Sequence, residues 1–271
     1  MACHLSTTAL PAEPAVIYPA FKDRLYPCYT DSIIAKHVMY RSEWFDWDML
    51  HFIQAFLRPA DHFLDVGANT GLHTLLASTR VTSGSITCVE PDATNLLRLR
   101  RALDLNHISN ATVLPIAASD TAQTVHLDGQ DVFARMAPAN EAEASAARQI
   151  AAARLDDELG KDAQVDLCKI DVEGAEWQVL KGLTGLMARN ALPVIIFELN
   201  GSLTAYGHSE VEFLNWLGDQ GYSLATYDHE RRVLTFGHSF TADVTDVYGF
   251  TQGGLMMVKE RIPEIRVEHV A

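Results

Sequence analysis

From residue 60 onward the chain alternates two hydrophobic periods. A short, nearly continuous apolar run is followed each time by a segment whose leucines return every three or four positions. "HFLDV" leads into "LHTLLAS", where Leu72, Leu75 and Leu76 share a helical face, and "SITCVE" leads into "DATNLLRLRRALDLN", with Leu96, Leu99 and Leu103 placed the same way. "ATVLPIAA" reads as a third strand, "VDLCKID" as a fourth feeding a helix that bears Val179, Leu180, Leu183 and Leu186, and "PVIIFELN" as a fifth. Strands apolar on both faces and separated by helices require a parallel sheet covered on both sides. The pattern therefore predicts an α/β, Rossmann-like, doubly wound and mostly parallel sheet. Three last runs, "GYSLATYD", "RVLTF" and "GGLMMVKE", have turn residues between them and predict an antiparallel C-terminal edge.

One domain, 59–271, accounts for this pattern, with 1–58 as a helical or cap segment before it. Within the domain the Ala-rich stretch near 128–154, containing "ANEAEASAARQIAAAR", reads as a surface helix or a mobile insertion. The net charge of −14 argues against a nucleic-acid partner, since such partners are met by a basic face. Cys3, Cys28, Cys88 and Cys168 form no CxxC pair, and two of them sit in apolar runs, which suits reduced buried thiols. No Lys or Arg precedes Lys22, Pro11 and Pro14 interrupt the first apolar stretch, and no apolar run reaches the roughly 20 residues that span a bilayer. The expected address is cytoplasmic, without a membrane partner. A homodimer stays open.

The first strand ends as "FLDVGANTGLHT". In an open doubly wound sheet, ligands bind beyond the carboxyl ends of the strands, where the strand order reverses, and this turn lies there. Gly67 and Gly71 remove side chains where the backbone must turn tightly or let a ligand approach, and the following helix start favours an anion. Glu90, in "TCVEPD", stands where an acid would accept hydrogen bonds from ribose hydroxyls. Taken singly, a capped turn and a solvated strand end would explain each feature. The spacing does not fit G-x-G-x-x-G, which would need glycine at Asn69 and Leu72, nor a phosphate loop. It is D-x-G-x-N-x-G, formed by Asp65, Gly67, Asn69 and Gly71.

That motif resembles the first motif of class I methyltransferases, whose cofactor is S-adenosylmethionine (SAM). An acidic rim of Asp65, Glu90 and Asp171 would tolerate its sulfonium. With "VEPDATNLLRLRRALDLN", "RLDDEL", "VDLCKIDVEGAEWQVLKGL" and "PVIIFELN", the chain resembles the FkbM family across roughly residues 60 to 200. The resemblance implies a class I methyltransferase fold for 59–271 and O-methylation of a hydroxyl on a small molecule, natural product or sugar. It implies that Asp65, Gly67, Asn69 and Gly71 surround the methionine part of the cofactor, that Glu90 holds the ribose, and that Asn95 supports the loop. For adenine the candidates are Ala118, Ser119 and Asp120. His73 stands where the family commonly has a ring.

Strand alternation along "CKIDVEG" places Lys169 and Asp171 on one face at the strand's end, with Glu173 and Glu176 just beyond. Methyl transfer from a sulfonium is a direct displacement, so the protein must align the acceptor and remove its proton. Asp171 is the expected base or donor-positioning group, Lys169 a base if burial lowers its pKa, and Glu198 a contributor from the next strand. A structural network in which Lys169 only neutralises the acids remains the competing reading. Asp171, Glu198 and Asn200 also offer oxygens to a divalent metal, which is the less favoured reading. Tyr40, Trp44, Phe45 and Trp47 could cover the site or pack an N-terminal helix. A binding protein without transferase activity and an NAD-dependent oxidoreductase are the rival functions.

Overall fold

Phe63 and Leu64, neighbours on one strand, enter different cores. That is the expected consequence of a period of two in a strand buried on both faces. The computed structural model describes residues 13–14, 16–36, 46–129, 135–136, 148–240 and 246–269. Tyr40, Trp44, Phe45, Cys3 and most of the Ala-rich stretch lie outside the described residues.

Strands β1 (Val16–Pro19) and β2 (Leu25–Cys28) form an antiparallel hairpin, followed by helix α1 (Trp47–Phe56). The alternating region then runs β3 (His62–Val66), α2 (Leu72–Ser78), β4 (Ser85–Val89), α3 (Ala93–Leu105) and β5 (Ala111–Leu114). Four short strands follow: β6 (Ala117–Ala118), β7 (Gln123–Asp128), β8 (Arg135–Met136) and β9 (Arg148–Ala153). After α4 (Leu155–Leu159) come β10 (Leu167–Ile170), α5 (Glu176–Lys181), α6 (Thr184–Ala188), β11 (Val194–Glu198) and a 3-10 turn at Ser202–Tyr206. Helix α7 (Glu210–Asp219), β12 (Ser223–Asp228), β13 (Val233–Phe236), β14 (Asp246–Phe250), α8 (Gln252–Arg261) and β15 (Arg266–His269) complete the chain.

The nine-stranded sheet has the order β15-β13-β12-β14-β11-β10-β3-β4-β5. Five of its eight pairings are parallel (β15 with β13, β11 with β10, β10 with β3, β3 with β4, β4 with β5), and the antiparallel ones join β11, β14, β12 and β13. The fold is thus a Rossmann-like, mostly parallel sheet with an antiparallel C-terminal edge. The chain leaves β3 toward β4 and β5 and returns at β10 on its other side, so the strand order reverses between β3 and β10. This register sets Lys169 beside Asp65. One core holds α1, α2 and α3 against the sheet through Phe52, Phe63, Leu76, Leu99 and Ile196, and the other holds α5 and α7 through Leu64, Ile170, Val179, Phe197 and Phe213. Among the described residues no helix is long and apolar enough to cross a membrane, and Cys28, Cys88 and Cys168 are buried free thiols.

Three local expectations are corrected. "GGLMMVKE" is not a strand but part of α8: Thr251 caps it by accepting from the Gly254 N–H at 3.0 Å, and its buried residues Gly254 and Val258 are four apart. The strand expected there is β14, just before it. The Ala-rich stretch contributes a strand, Arg148–Ala153, where a helix or mobile insertion was expected, because β7 and the Ala117–Ala118 edge supply backbone partners that outweigh alanine's helical preference. The third strand is broken at Pro115, which has no N–H to donate, and its second half joins β9 in a separate sheet of order β6-β9-β7-β8.

The hairpin packs Tyr26 and Cys28 against Leu72, Leu75 and Ala102, and one amide ties its second strand to α3. Asn106, at the C-cap of α3, accepts from the Leu25 N–H at 2.7 Å and donates to the Leu25 carbonyl at 2.8 Å, so its side chain mimics a neighbouring strand.

Candidate active site

The loop after β3 is held by backbone contacts before any ligand is considered. The N–H groups of Gly67 and Ala68 donate to the Val89 carbonyl at 2.9 and 3.1 Å. Gly67 has φ 76°, and a Cβ there would lie 1.8 Å from the Asp171 carbonyl oxygen. Gly71 has φ 93°, and its Cβ would meet Leu99 Cδ1 at 2.7 Å. Both glycines therefore serve the tight turn, the first of the two roles the sequence allows them, because neighbouring protein atoms and a left-handed backbone leave no room for a side chain. Asn69, also left-handed at φ 49°, donates its N–H to Glu90 Oε2 at 2.8 Å and accepts from the Thr70 N–H at 2.7 Å.

A cavity of about 420 Å³ opens beside this loop, at the reversal point between β3 and β10. Its size falls within the roughly 300–1,000 Å³ of small-molecule and cofactor sites. Gly67, Asn69, Glu90, Asn95, Ala118, Lys169, Asp171 and Glu198 all line it. Asp65, Gly71 and Ser119 do not. Asp65 is fully buried and accepts from Thr74 Oγ1 at 2.6 Å, so it forms no rim. The Ser119 N–H donates to the Ala153 carbonyl at 2.9 Å and its hydroxyl to Asp120 at 3.3 Å.

The two ends of the cavity differ. At one end Pro91, Ala118, Leu127 and Met136 make an apolar slot, with the small sheet supplying the last three. Arg148 on β9 pairs with buried Asp92, which caps α3 and donates its own N–H to Glu90 Oε1 at 2.7 Å. Glu90 is 4% exposed; burial pushes its carboxyl up to about 7, against the pull of those two backbone N–H groups.

At the other end carboxylates crowd one lysine. Lys169, 2% exposed, donates from Nζ to the Gly67 carbonyl at 2.8 Å and lies 3.3 Å from Asp171 and 3.5 Å from Asp65. Burial alone would lower its pKa, but Asp171, Asp65 and Asp46 outweigh it and hold the ammonium above its ordinary value. The condition for Lys169 to act as a base is not met. Beyond Asp171 the chain turns through Glu173 at φ 58° and Gly174 at φ 107°, and Glu176 Oε1 ties the turn by accepting from the Val172 and Gly174 N–H groups at 3.2 and 3.1 Å. Glu198 ends β11 opposite Asp246 of β14. Burial, then the charges of Asp171, Glu173, Glu176 and Asp246, push it up to about 9; Asp246 rises to about 8, by burial first and then the nearby carboxylates Asp46 and Asp171.

Asp46 and Asp246 stand in no sequence motif, and Glu173 gains a role only from its place in the fold. Carboxylate oxygens of Asp171, Glu173 and Glu198 lie within 4.8 Å of one another, close enough to share a divalent cation. Glu173 thus joins Asp171 and Glu198, while Asn200 donates its amide N–H to Glu198 Oε2 at 2.8 Å and accepts from the Ser202 N–H through Oδ1 at 3.0 Å. Only the position of Glu173 next to Asp171 could have signalled this. His73 and Asp46 also line this end, with Nε2 and Oδ2 3.5 Å apart. Burial, reinforced by the Lys169 charge, drives the imidazole down to about 3, so it is neutral.

Comparison with known proteins adds the family. No curated protein matches the sequence. Among solved structures, the chain is similar to precorrin-6y C5,15-methyltransferase from Geobacter metallireducens, at 14% identity and a TM-score of 0.46 over 84% of this chain and 94% of that one. It is similar to a SAM-dependent O-methyltransferase from Thermotoga maritima, at 11% identity and 0.44 over 82% and 72%. A third is an rRNA methylase from Streptococcus thermophilus, at 11% and 0.43 over 75% and 94%. Residues 65–224, more than half of the chain, match the methyltransferase FkbM domain. The chain belongs to the FkbM methyltransferase family and is a SAM-dependent methyltransferase.

Proposed function

We propose that the protein methylates a hydroxyl group of a small molecule at the acidic end of this cavity. The observation that carries the reading is Asp171, half-buried, fixed 3.3 Å from the Lys169 ammonium and sharing its surroundings with Glu173 and Glu198. The residues present fit SAM. The apolar slot of Pro91, Ala118, Leu127 and Met136 suits a purine face, Glu90 suits ribose hydroxyls, and the carboxylates suit a cation. Bound there, SAM would supply an electrophilic methyl group on sulfur.

The chain's own groups then have separable tasks. Asp171 accepts the proton of the acceptor hydroxyl at a carboxylate oxygen. Lys169 holds Asp171 in place as a permanent cation and takes no proton. Glu198, neutral near pH 7 with a carboxyl at about 9, orients the hydroxyl by hydrogen bonding. Ile33, Ile34 and Asp46, all before residue 59, line the cavity and support a cap role for the N-terminal segment, which would exclude water.

The test is incubation with SAM and a panel of acceptors bearing hydroxyl, amine or thiol groups, followed by mass spectrometry of S-adenosylhomocysteine and product. Methyl recovered on oxygen supports the reading. Methyl recovered only on nitrogen, sulfur or carbon overturns it, and cofactor binding without turnover against any acceptor would favour a sensor or scaffold.

A further inference from the structure

An aspartate at a helix N-cap normally accepts hydrogen bonds from the first turn. Asp46 stands at that position before α1, with φ 58°, and makes no such bond. Its carboxylate is turned into the cavity instead, where it meets His73. His73 is 7% exposed, and its Nε2 is buried with no hydrogen-bond partner. Buried polar atoms are almost always paired, so an orphan atom facing a cavity marks a place where a ligand atom belongs. The 3.5 Å between Nε2 and Asp46 Oδ2 is too long for a good hydrogen bond. The two groups face a shared space without satisfying each other.

We propose that Asp46 and His73 hold the amino-acid end of SAM, with Asp46 accepting from the α-ammonium and His73 Nε2 donating to the α-carboxylate. The inference rests on the reading that this cavity binds SAM. A zwitterion needs an anion for one charge and a donor for the other. Among the described residues that line the cavity, Lys169 is the one cation, and its ammonium is committed to the Gly67 carbonyl, Asp171 and Asp65. The carboxylate must therefore be met by a neutral donor, and the imidazole is neutral. Asp46 lies outside residues 65–224, so the matched domain does not contain this half of the pair. It also assigns the N-terminal segment a direct hold on the cofactor in addition to covering it.

The experiment is calorimetric titration of S-adenosylhomocysteine and of 5′-methylthioadenosine, which has the same nucleoside and sulfur but no amino acid. Wild type, Asp46→Asn, His73→Leu and His73→Gln are compared. Asp46→Asn and His73→Leu should each weaken S-adenosylhomocysteine by about tenfold or more, as for a lost hydrogen bond to a charged group, while 5′-methylthioadenosine stays within about twofold. His73→Gln, which keeps a donor, should recover part of the loss. A parallel loss for both ligands would mean that the residues only support the fold. Unchanged affinity for both, with turnover lost, would place the pair at the acceptor; either result overturns the proposal. A wild-type protein that binds neither ligand would instead sink the cavity assignment on which it rests.

Discussion

Glu176 offers a perturbation whose sign depends on pH. Its Oε1 accepts two backbone N–H groups, those of Val172 and Gly174, and so fixes the turn that carries Glu173 into the cavity. Burial raises its carboxyl to about 7; the backbone N–H groups pull it down, and the charge of Asp171 adds to the rise. Glutamine keeps the oxygen that both N–H groups use and removes the ionisation. Below the unfolded value of 4.5 the wild-type side chain is neutral in both states, so Glu176→Gln should be nearly neutral in stability. As pH rises from there through about 7, the unfolded chain ionises freely while the folded one resists. Wild type therefore loses stability that the glutamine variant retains. A move from 4.5 to about 7, at about 1.4 kcal/mol per pH unit, sets the ceiling of this gain at about 3 kcal/mol. Urea denaturation of both proteins at pH 5, 6, 7 and 8 reads the difference directly. A gap that stays constant across the series refutes the reasoning. Glu176→Ala should behave differently, because it strands two N–H groups at about 1–3 kcal/mol each at every pH.

Gly67→Ala should lower the melting temperature of the ligand-free protein by several degrees, since the new Cβ would sit 1.8 Å from the Asp171 carbonyl oxygen; an unchanged melting temperature with lost cofactor binding would return Gly67 to a ligand-facing role. Asp171→Asn should reduce turnover by about 10²–10⁴-fold with little change in melting temperature. Near-normal turnover in that variant, abolished by chelator and restored by magnesium, would instead make the Asp171, Glu173 and Glu198 cluster a cation site. Arg148→Met should weaken cofactor binding while leaving kcat nearly unchanged, because it frees the small sheet from Asp92; equal losses in kcat and affinity would contradict that division of labour.

The sequence exposes what is local and periodic. Strands β3, β4, β10 and β11 were legible because each is an unbroken apolar run, and the meeting of Lys169 with Asp171 followed from simple alternation. What it hides is set by pairing at long range. Arg148–Ala153 becomes a strand only because β7 and Ala117–Ala118 lie beside it, and the four apolar residues Leu255–Val258 mimic a strand although Thr251 starts a helix there. Asp46 carries no motif at all. The glycines of the first loop fit a tight turn in sequence, but the atoms that enforce them, the Asp171 carbonyl and Leu99, are contacts that no spacing rule reveals.

Protonation is hidden for the same reason, and it changes the chemistry of the site most. Lys169 is a candidate base in one dimension and a fixed cation in three, because Asp65 from β3, Asp171 from the end of β10 and Asp46 from the cap converge on it. The carboxylates of this end outnumber their one lysine, and part of the surplus is absorbed by protons, with Glu198 and Asp246 raised to about 9 and 8, while Asp46, raised only to about 6, stays mostly charged near pH 7. Desolvation and mutual repulsion both disfavour their anions, and a positive charge brought among them relieves the repulsion. A neutral ligand of the same shape gives no such relief. The acidic end is therefore poised for a cation, and a sulfonium is a cation that donates no proton and competes for none of the hydrogen bonds that position Asp171.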